Sequence, residues 1–333
     1  MEKYNIAFYG DLGVSDEIRL GIPSRFLEVN GHTIEHGHYI QWEETDPDSF
    51  DIIYLSRPYL DAVDIVKEIV KSNAKLVIDM DDDFFSIPEE HPAYTGLGAG
   101  NKEYHQLLLE MIAQADAIVT ASTMLHNKYK ELNSSALHVH IPNGFDDQNE
   151  LWGRKIIRDH KLNLGWCGTI THRKDVHLML KPLLKVLRAN EDVRIVIGGD
   201  YDIYRLFKNI PEKQKQFIPM VPYSIYPYML AHMDVLLVPL VDNEFNSYKS
   251  DIKLVEAGAM EIPWCASPLP QYVDWGEVGG YLIEDEEWSK AFESIIHHDK
   301  QYSVRFPENK SEERLSCNMY DTHWKPFLQE LMK

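Results

Sequence analysis

The sequence predicts an α/β protein built from two doubly wound parallel sheets, each covered by helices. Three observations lead to this fold class: short apolar runs alternate with longer helical patterns, the alternation starts again near residue 150, and 333 residues exceed one ordinary domain. Parallel strands joined through helices form right-handed βαβ units. We therefore expect one domain at 1–150, a second at 151–310, and a closing helical segment at 311–333.

The first half of the chain contains short apolar runs separated by amphipathic stretches, the pattern of buried parallel strands and their crossover helices. The runs predict strands at Ile6–Tyr9, Thr33–His38, Ile52–Leu55, Leu76–Ile78, Ala117–Thr120 and Leu137–His140. The stretches between them predict helices at Asp16–Val29, Leu60–Lys71, Lys102–Gln114 and Ser122–Glu131.

A turn at Ile141-Pro-Asn-Gly144 and a polar stretch, Asp146–Lys161, separate the two halves. The second half predicts strands at Leu162–Cys167, Val193–Ile197, Phe217–Met220, Val235–Val238, Ile262–Ala266 and Tyr281–Ile283. It predicts helices at Asp175–Ala189, Ile203–Lys208, Ser224–His232, Asp251–Met260, Glu287–His297 and Tyr320–Met332.

Charge and composition exclude several classes of partner. Asp and Glu number 53 against 33 Lys and Arg, so the formal net charge is −20 and the surface repels nucleic acid and anionic membranes. There is no run of 18 apolar residues and no signal-peptide pattern at the N-terminus. The three cysteines are widely spaced and favour buried, reduced thiols. We expect a cytoplasmic protein whose anionic ligand, if it has one, is small.

Two lysines lie at the start of the helix that follows the strand Val235–Val238. With Ser250 as the N-cap, Lys253 occupies the third helical position and Lys249 directly precedes the cap. Lysines oppose the positive helix dipole at this end, but a bound phosphate or diphosphate offsets that cost. Glu256, one turn further on, is placed to pair with Lys253 or to bind a ribose diol. The alternative is a solvated helix with incidental lysines.

A second basic group follows the first strand of the second half. Gly168 allows the backbone to approach a ligand, and His172, Arg173 and Lys174 precede the helix predicted to start near Asp175. A guanidinium is well suited to a bidentate phosphate contact. Taken alone, these residues are equally consistent with an exposed loop. Both basic groups follow strands of one predicted sheet, where ligands bind in doubly wound folds.

A dense group of carboxylates follows the strand Leu76–Ile78. It consists of Asp79 and the run Asp81-Asp82-Asp83. These side chains are suited to orienting an acceptor hydroxyl, and their oxygens to holding a divalent cation. The alternative is a solvated strand end. No other ligand in this segment supports a metal, so we expect no required cofactor.

The chain resembles the family 4 glycosyltransferases of GT-B fold, through motifs that are spread over nearly its whole length. The resemblance rests on Asn246-x-x-Lys249-Ser250-x-x-Lys253-x-x-Glu256, with further matches at Arg19-x-x-x-Pro23, Pro142-Asn-Gly144, Gly165-Trp166-x-Gly168 and His172-x-Lys174-Asp175. It implies two Rossmann-like domains, with the last helix crossing back onto the first. It also implies that a sugar is transferred from a nucleotide diphosphate with retention of configuration, without a catalytic metal.

The resemblance implies a role for each matching residue. Glu256 would bind the ribose hydroxyls, and Arg173, Lys249 and Lys253 would neutralise the diphosphate. Further donor contacts would come from Gly168, His172, Tyr223 near the nucleobase, Asn246, and the backbone of Ser250 and Asp251. On the acceptor side, Asp81 and Asp82 would orient the hydroxyl that attacks.

The chain departs from the family pattern at Tyr248, where the commonest form has a glutamate eight positions before Glu256. Three functions therefore stay open. The first is a glycosyltransferase that uses a UDP- or GDP-linked sugar; its acceptor is a glycan, a lipid-linked sugar, a protein, a metabolite or a modified base. The second is a nucleotide-sugar epimerase, and the third is a non-catalytic sugar-nucleotide-binding protein.

Overall fold

The computed structural model describes residues 2–11, 13–156, 162–276, 279–297 and 312–333. The chain divides into two compact units. Unit 1 contains Met1–Asp146, Tyr248–Ser250 and Glu313–Lys333, and unit 2 contains Asp147–Ser247 and Asp251–Glu312. The predicted boundary between 310 and 311 lies outside the described residues. Three residues from the middle of the second half, Tyr248–Ser250, thus group with unit 1, and no sequence pattern predicts this grouping.

Unit 1 is built on a parallel sheet of six strands. The strands are β1 (Asn5–Gly10), β2 (Thr33–His38), β3 (Ile52–Ser56), β4 (Lys75–Met80), β5 (Ala117–Thr120) and β6 (Leu137–His140). Their order across the sheet is β2-β1-β3-β4-β5-β6. The central strands β3 and β5 are buried along their whole length, which explains why they are uninterrupted apolar runs in the sequence. The predicted strands and their parallel arrangement are confirmed.

The helices of unit 1 flank this sheet. They are α1 (Val14–Asp16), α2 (Ile22–Val29), α3 (Ala62–Ile69), α4 (Lys102–Gln114), α5 (Thr123–Leu132), α13 (Ser316–Met319) and α14 (Lys325–Leu331). The helix predicted at Asp16–Val29 is interrupted by a π-helical turn at Glu17–Gly21, and a second such turn, Tyr320–Trp324, precedes α14. Each turn comes just before a proline, Pro23 or Pro326, which lacks the N–H that a regular helical bond needs.

Aromatic side chains bring the C-terminal segment into the core of unit 1. The Trp324 ring lies 5.5 Å from that of Tyr54, 6.1 Å from that of Phe8 and 6.1 Å from that of Phe26, measured between centroids. Trp324 is almost fully buried. Large buried aromatics contribute most of the apolar area in a core. The last helical segment therefore packs on the first sheet, as predicted.

Unit 2 repeats the architecture with a second parallel sheet of six strands. The strands are β7 (Leu162–Gly168), β8 (Val193–Gly199), β9 (Lys215–Pro219), β10 (Val235–Val238), β11 (Trp264–Ala266) and β12 (Gly280–Leu282). Their order is β12-β11-β10-β7-β8-β9. The predicted strand Ile262–Ala266 starts two residues late, because Pro263 has no N–H to donate to a sheet.

The helices of unit 2 are α6 (Arg173–Ala189), α7 (Tyr201–Tyr204), α8 (Tyr226–Leu230), α9 (Glu244–Ser247), α10 (Ile252–Ala259), α11 (Pro270–Val273) and α12 (Trp288–Ile296). Helices α6 and α12 pack together over one face of the sheet, where Trp288 and Phe292 are fully buried. Short 3-10 turns complete the two units, at Tyr39–Glu44, Pro47–Ser49, Phe84–Ser86, Ile170–His172, Arg205–Phe207, Glu212–Gln214, Tyr223–Ile225, Asp285–Glu287 and Glu312–Arg314.

A search of the described ranges for a membrane-spanning helix, one both long and apolar enough, finds none. The two sheets and their connectivity match the GT-B arrangement of two Rossmann-like domains, so the predicted fold class is confirmed.

Candidate functional site

The loop after β7 is held closely against the end of β8. Asp200 N donates to the Gly168 carbonyl at 3.1 Å, and the Asp200 carboxylate accepts from Ile170 N at 3.1 Å. Gly199 has φ +102°, and a Cβ there would lie 2.3 Å from the Gly168 carbonyl oxygen. Glycine is therefore required at 199, because both the left-handed backbone and the close approach exclude a side chain. The β7 loop is fixed by these contacts.

Helix α6 begins at Arg173 rather than near Asp175, so the predicted helix start is wrong by two residues. The 3-10 turn Ile170–His172 runs directly into the helix, with His172 N donating to Thr169 O at 3.1 Å. Arg173 and Lys174 therefore lie in the first turn of α6, and both side chains are exposed. This placement leaves the Arg173 guanidinium accessible at the positive end of the helix dipole, where a bound anion is stabilised.

The predicted donor residue His172 is paired with Asp175, which the sequence reasoning did not select. His172 Nδ1 lies 2.8 Å from Asp175 Oδ2, and Asp175 is only 5% exposed. The sequence signal was an acidic residue in the first turn of a helix that follows a strand, a common pattern with no functional meaning by itself. Only the three-dimensional contacts distinguish this Asp from a surface one.

The N-cap of α10 is Asp251, not Ser250 as predicted. The Ser250 hydroxyl instead accepts a hydrogen bond from Asn143 Nδ2 at 2.8 Å, and the Asp251 carboxylate accepts from Trp275 Nε1 at 3.0 Å. Because Ser250 has another partner, the helix starts one residue later. Lys253 consequently occupies the second helical position, still within the first turn.

A group of polar side chains, which we call the Lys253 cluster, lies inside unit 2 where β7 ends and α10 begins. It consists of Lys253, Glu256, Cys167, Tyr226 and Tyr223. Lys253 Nζ donates to Cys167 Sγ at 3.9 Å, and Cys167 Sγ lies 2.8 Å from the Tyr226 hydroxyl. The rings of Tyr226 and Tyr223 are stacked, with centroids 5.7 Å apart. Three residues predicted from the sequence to bind the donor are thus brought together.

Burial controls the ionisation of the Lys253 cluster. Burial raises the pKa of the Glu256 carboxyl above its ordinary value, although Lys253 and the nearby Tyr226 and Tyr223 hydroxyls lower it. Burial also raises the pKa of the Cys167 thiol, against the effect of Lys253. Burial lowers the pKa of Lys253, but the effects of Cys167 and Glu256 outweigh burial, so the pKa of Lys253 is raised above its ordinary value. The ammonium of Lys253 therefore stays charged in a site with few compensating bonds.

Lys253 is weakly compensated within the described part of the chain. No carboxylate oxygen there lies within 4.0 Å of its Nζ, and its hydrogen bond to a thiol is long and weak. Lys253 is partly buried, and removing a cation from water without a close counter-ion is costly unless an anionic ligand supplies the opposite charge. This arrangement therefore favours an anion-binding role over a purely structural one.

Asn246, predicted to contact the donor, uses its side-chain amide within its own loop. Its Nδ2 donates to Asp175 Oδ1 at 3.1 Å and to Val241 O at 2.9 Å. The side chain is 4% exposed. Asn246 therefore fixes the connection between β10 and α10, and a direct donor contact stays a prediction.

The segment Tyr248–Ser250 is anchored in unit 1 by side chains of that unit. The Ser122 hydroxyl donates to the Tyr248 carbonyl at 2.6 Å, and Lys128 Nζ lies 4.7 Å from the centre of the Tyr248 ring. Lys249 Nζ donates to Asp82 Oδ1 at 2.9 Å. Tyr248, which occupies the position of the usual glutamate, thus provides a cation–π contact rather than a carboxylate.

The carboxylates at and after the end of β4 each have a cationic partner, although Asp79 lies within β4 rather than after the strand as predicted, and Arg57 is shared between Asp81 and Asp16. Asp79 pairs with Arg19 at 2.8 Å, Asp81 with Arg57 at 3.6 Å, Asp82 with Lys249 at 2.9 Å, and Asp83 with Lys128 at 2.5 Å. Such pairing lowers the local negative charge that a divalent cation would need. No group of three or more His, Cys, Asp or Glu placed to hold a metal occurs in the ranges that the structure describes.

Comparison with known protein families gives a match in the second half of the chain. Residues 161–298 fit a family model described as glycosyl transferases group 1. The match includes the β7 loop, the start of α6 and the whole Lys253 cluster. A comparison with curated protein sequences gives no significant match.

Solved structures of similar fold extend over nearly the whole chain. HepE from Anabaena, in complex with UDP-glucose, shares 13% identity over 98% of this chain and 100% of its own, with a TM-score of 0.70. The catalytic domain of starch synthase IV from Arabidopsis thaliana, bound to ADP and acarbose, shares 10% identity over 99% of each chain, with a TM-score of 0.61. A putative UDP-N-acetylglucosamine 2-epimerase from Listeria monocytogenes shares 12% identity over 99% of this chain and 98% of its own, with a TM-score of 0.59.

Proposed function

We propose that this protein transfers a sugar from a nucleotide-diphosphate sugar, UDP- or GDP-linked, to a hydroxyl acceptor, with retention of configuration. The observation that carries the proposal is the Lys253 cluster: a partly buried, weakly compensated cation near a buried carboxylate, inside the segment that matches the glycosyltransferase family model. The negative charge of a diphosphate compensates the Lys253 ammonium, and the hydroxyls of a ribose diol donate hydrogen bonds to the Glu256 carboxylate. Several proteins of similar structure were solved in complex with UDP, UDP-glucose or ADP, which supports a nucleotide ligand.

The transfer places negative charge on the departing diphosphate. Fixed cations and helix N-termini aimed at that charge stabilise the transition state more than the ground state. In this proposal Lys253 and Arg173 provide those cations, each in the first turn of a helix in unit 2. A front-side attack that retains configuration requires little of a protein base. We assign no metal and no cofactor to the reaction.

Lys249 and the carboxylates Asp81 and Asp82 keep the roles that the sequence suggests, at the diphosphate and at the acceptor hydroxyl respectively. The Lys249 ammonium donates a hydrogen bond to Asp82. To contact the diphosphate, this ammonium must release Asp82. The acceptor belongs to one of the hydroxyl-bearing classes named above. A nucleic-acid acceptor is disfavoured by the net charge of −20.

The first test is nucleotide binding. Thermal shift with UDP, GDP and ADP should show stabilisation by one nucleotide, by about 2.7 kcal/mol at a concentration one hundred times its Kd. Arg173→Ala should weaken that binding, while Arg188→Ala should not, since Arg188 is an exposed arginine in the last turn of the same helix. The absence of a shift with every nucleoside diphosphate would overturn the proposal.

The second test separates transfer from the alternatives. The fold likeness to a putative 2-epimerase keeps epimerisation as a second candidate. A nucleotide sugar labelled in the sugar is incubated with the protein without acceptor, and the products are separated by chromatography. A transferase slowly releases free sugar and nucleoside diphosphate, an epimerase returns an altered nucleotide sugar, and a non-catalytic binding protein leaves the donor unchanged.

A further inference from the structure

The carboxylate of Asp175 has partners in two different loops of unit 2. Its Oδ2 lies 2.8 Å from His172 Nδ1, in the loop that joins β7 to α6. Its Oδ1 accepts from Val241 N at 2.8 Å and from Asn246 Nδ2 at 3.1 Å, both in the connection that joins β10 to α10. One side chain therefore bonds the two segments that carry the basic groups of the proposed donor site.

The environment of Asp175 makes these bonds strong. The residue is 5% exposed and lies in the first turn of α6, where the helix dipole favours a carboxylate. Hydrogen bonds to an ionised acceptor in a low-dielectric surrounding are stronger than neutral ones in water. The Asp175 carboxylate is thus suited to fixing a distance between loops.

Two further hydrogen bonds fix the connection between β10 and α10 that Asp175 contacts. Asn246 Nδ2 also donates to Val241 O at 2.9 Å, and Gln271 Nε2 donates to Asn246 O at 3.0 Å. Lys253 follows in the first turn of α10. Asp175 therefore bonds directly to the segment 241–246, which precedes Lys253 in the chain, and it lies two residues after Arg173 on α6.

We propose that Asp175 is a positioning residue that sets the spacing between the cations of the two loops, and through that spacing the preference for a diphosphate over a monophosphate. The inference rests on the function proposed above. A monophosphate needs only one cationic loop, whereas a diphosphate needs both at the correct separation. Asp175 touches neither the donor nor the reacting atoms, so its effect passes through His172, Val241 and Asn246.

The experiment compares Asp175→Ala and Asp175→Asn with a matched control, Asp234→Asn. The Asp234 carboxylate also accepts from a backbone N–H, that of Asn163 at 2.7 Å, but at the opposite end of β10. Affinities for the preferred nucleoside diphosphate and for its monophosphate are measured by titration calorimetry, together with the melting temperature. The readout is the ratio of the two affinities, which a purely structural role would not change.

We expect Asp175→Ala to lower the ratio on the order of tenfold, the scale of a misplaced binding group. Asp175→Asn should lower it less, because its carbonyl can still accept from Val241 and Asn246. If Asp175→Ala fails to fold, the isosteric Asn variant gives the same comparison.

A ratio that stays at the parent value in both variants, with only the melting temperature lowered, would overturn the inference and leave the proposed function standing. An equal fall in the ratio for Asp234→Asn would also overturn it. If the parent protein binds no nucleoside diphosphate, the proposed function and this inference both fail.

Discussion

Two ionic groups, a fully buried one in unit 1 and a partly buried one in unit 2, differ in how completely they are compensated. In unit 1, Arg19 donates through Nε and Nη2 to the Asp79 carboxylate, at 3.0 and 2.8 Å, and through Nη1 to Ile141 O and Asn143 Oδ1. The Tyr54 hydroxyl also donates to Asp79. In unit 2, the Lys253 ammonium has one 3.9 Å bond to a thiol. Hydrogen bonds and an ion pair within the protein compensate the charges of the first group, whereas the ammonium of the second group is compensated only weakly.

This difference distinguishes a scaffold from a binding site. Arg19 and Asp79 are 3% and 0% exposed, and their fork-to-carboxylate geometry leaves no donor of the pair for a ligand. The sequence-based expectation that Asp79 orients an acceptor thus conflicts with its burial. The partly buried Lys253 ammonium, whose charge is not matched by a nearby carboxylate, is instead suited to binding an anionic ligand. The three predictions below each change one side of this comparison.

The largest expected effect is that of Arg19→Met on stability. The substitution leaves the fully buried Asp79 without its counter-ion, and breaking such a pair costs about 3–5 kcal/mol. Urea unfolding should show this loss of free energy of unfolding. The control is Arg205→Met, which breaks an exposed pair with Asp202 and should change stability by less than about 1 kcal/mol. Equal losses in the two variants would show that the Arg19 group does not act as a scaffold.

Replacing the Lys253 cation of unit 2 by methionine should affect ligand binding rather than stability. Lys253→Met removes a partly buried, weakly compensated cation and keeps a similar volume, so the free energy of unfolding should stay the same or rise. Nucleoside diphosphate affinity should fall on the order of a hundredfold, since a desolvated charge pair is lost. Calorimetry with Lys213→Met as the exposed control measures this effect. A strong loss of stability with unchanged affinity would reverse the comparison.

The smallest effect concerns pH. Burial raises the pKa of Glu256 above 4.5, so the folded protein binds this proton more tightly than the unfolded chain. The stability that the protonated group contributes is fully present below the ordinary pKa and is lost as pH rises through the folded pKa. Glu256→Gln should therefore have the same melting temperature as the parent protein at low pH. At pH values above the folded pKa of Glu256, it should have a higher melting temperature than the parent. A difference that grows as pH falls would contradict the raised pKa.

The fold was predictable from the sequence to within a few residues. Central strands such as Ile52–Ser56 and Ala117–Thr120 are short apolar runs because both faces of a parallel sheet are covered. Element ends were less predictable. The start of α10 moved by one residue because Ser250 hydrogen-bonds to Asn143, more than one hundred positions earlier in the sequence, and no local pattern contains that contact.

The sequence alone determined the two-sheet fold, the acidic surface and the basic residues Arg173, Lys249 and Lys253 near the starts of helices, because periodicity, charge and spacing are local properties. Only the tertiary structure decided which ionisable groups are compensated. Asp79 forms an ion pair with Arg19, and Asp82 forms one with Lys249. Lys253 instead hydrogen-bonds to a thiol rather than to a carboxylate. These outcomes depend on contacts between distant segments and on burial, which set the electrostatic cost of each charge.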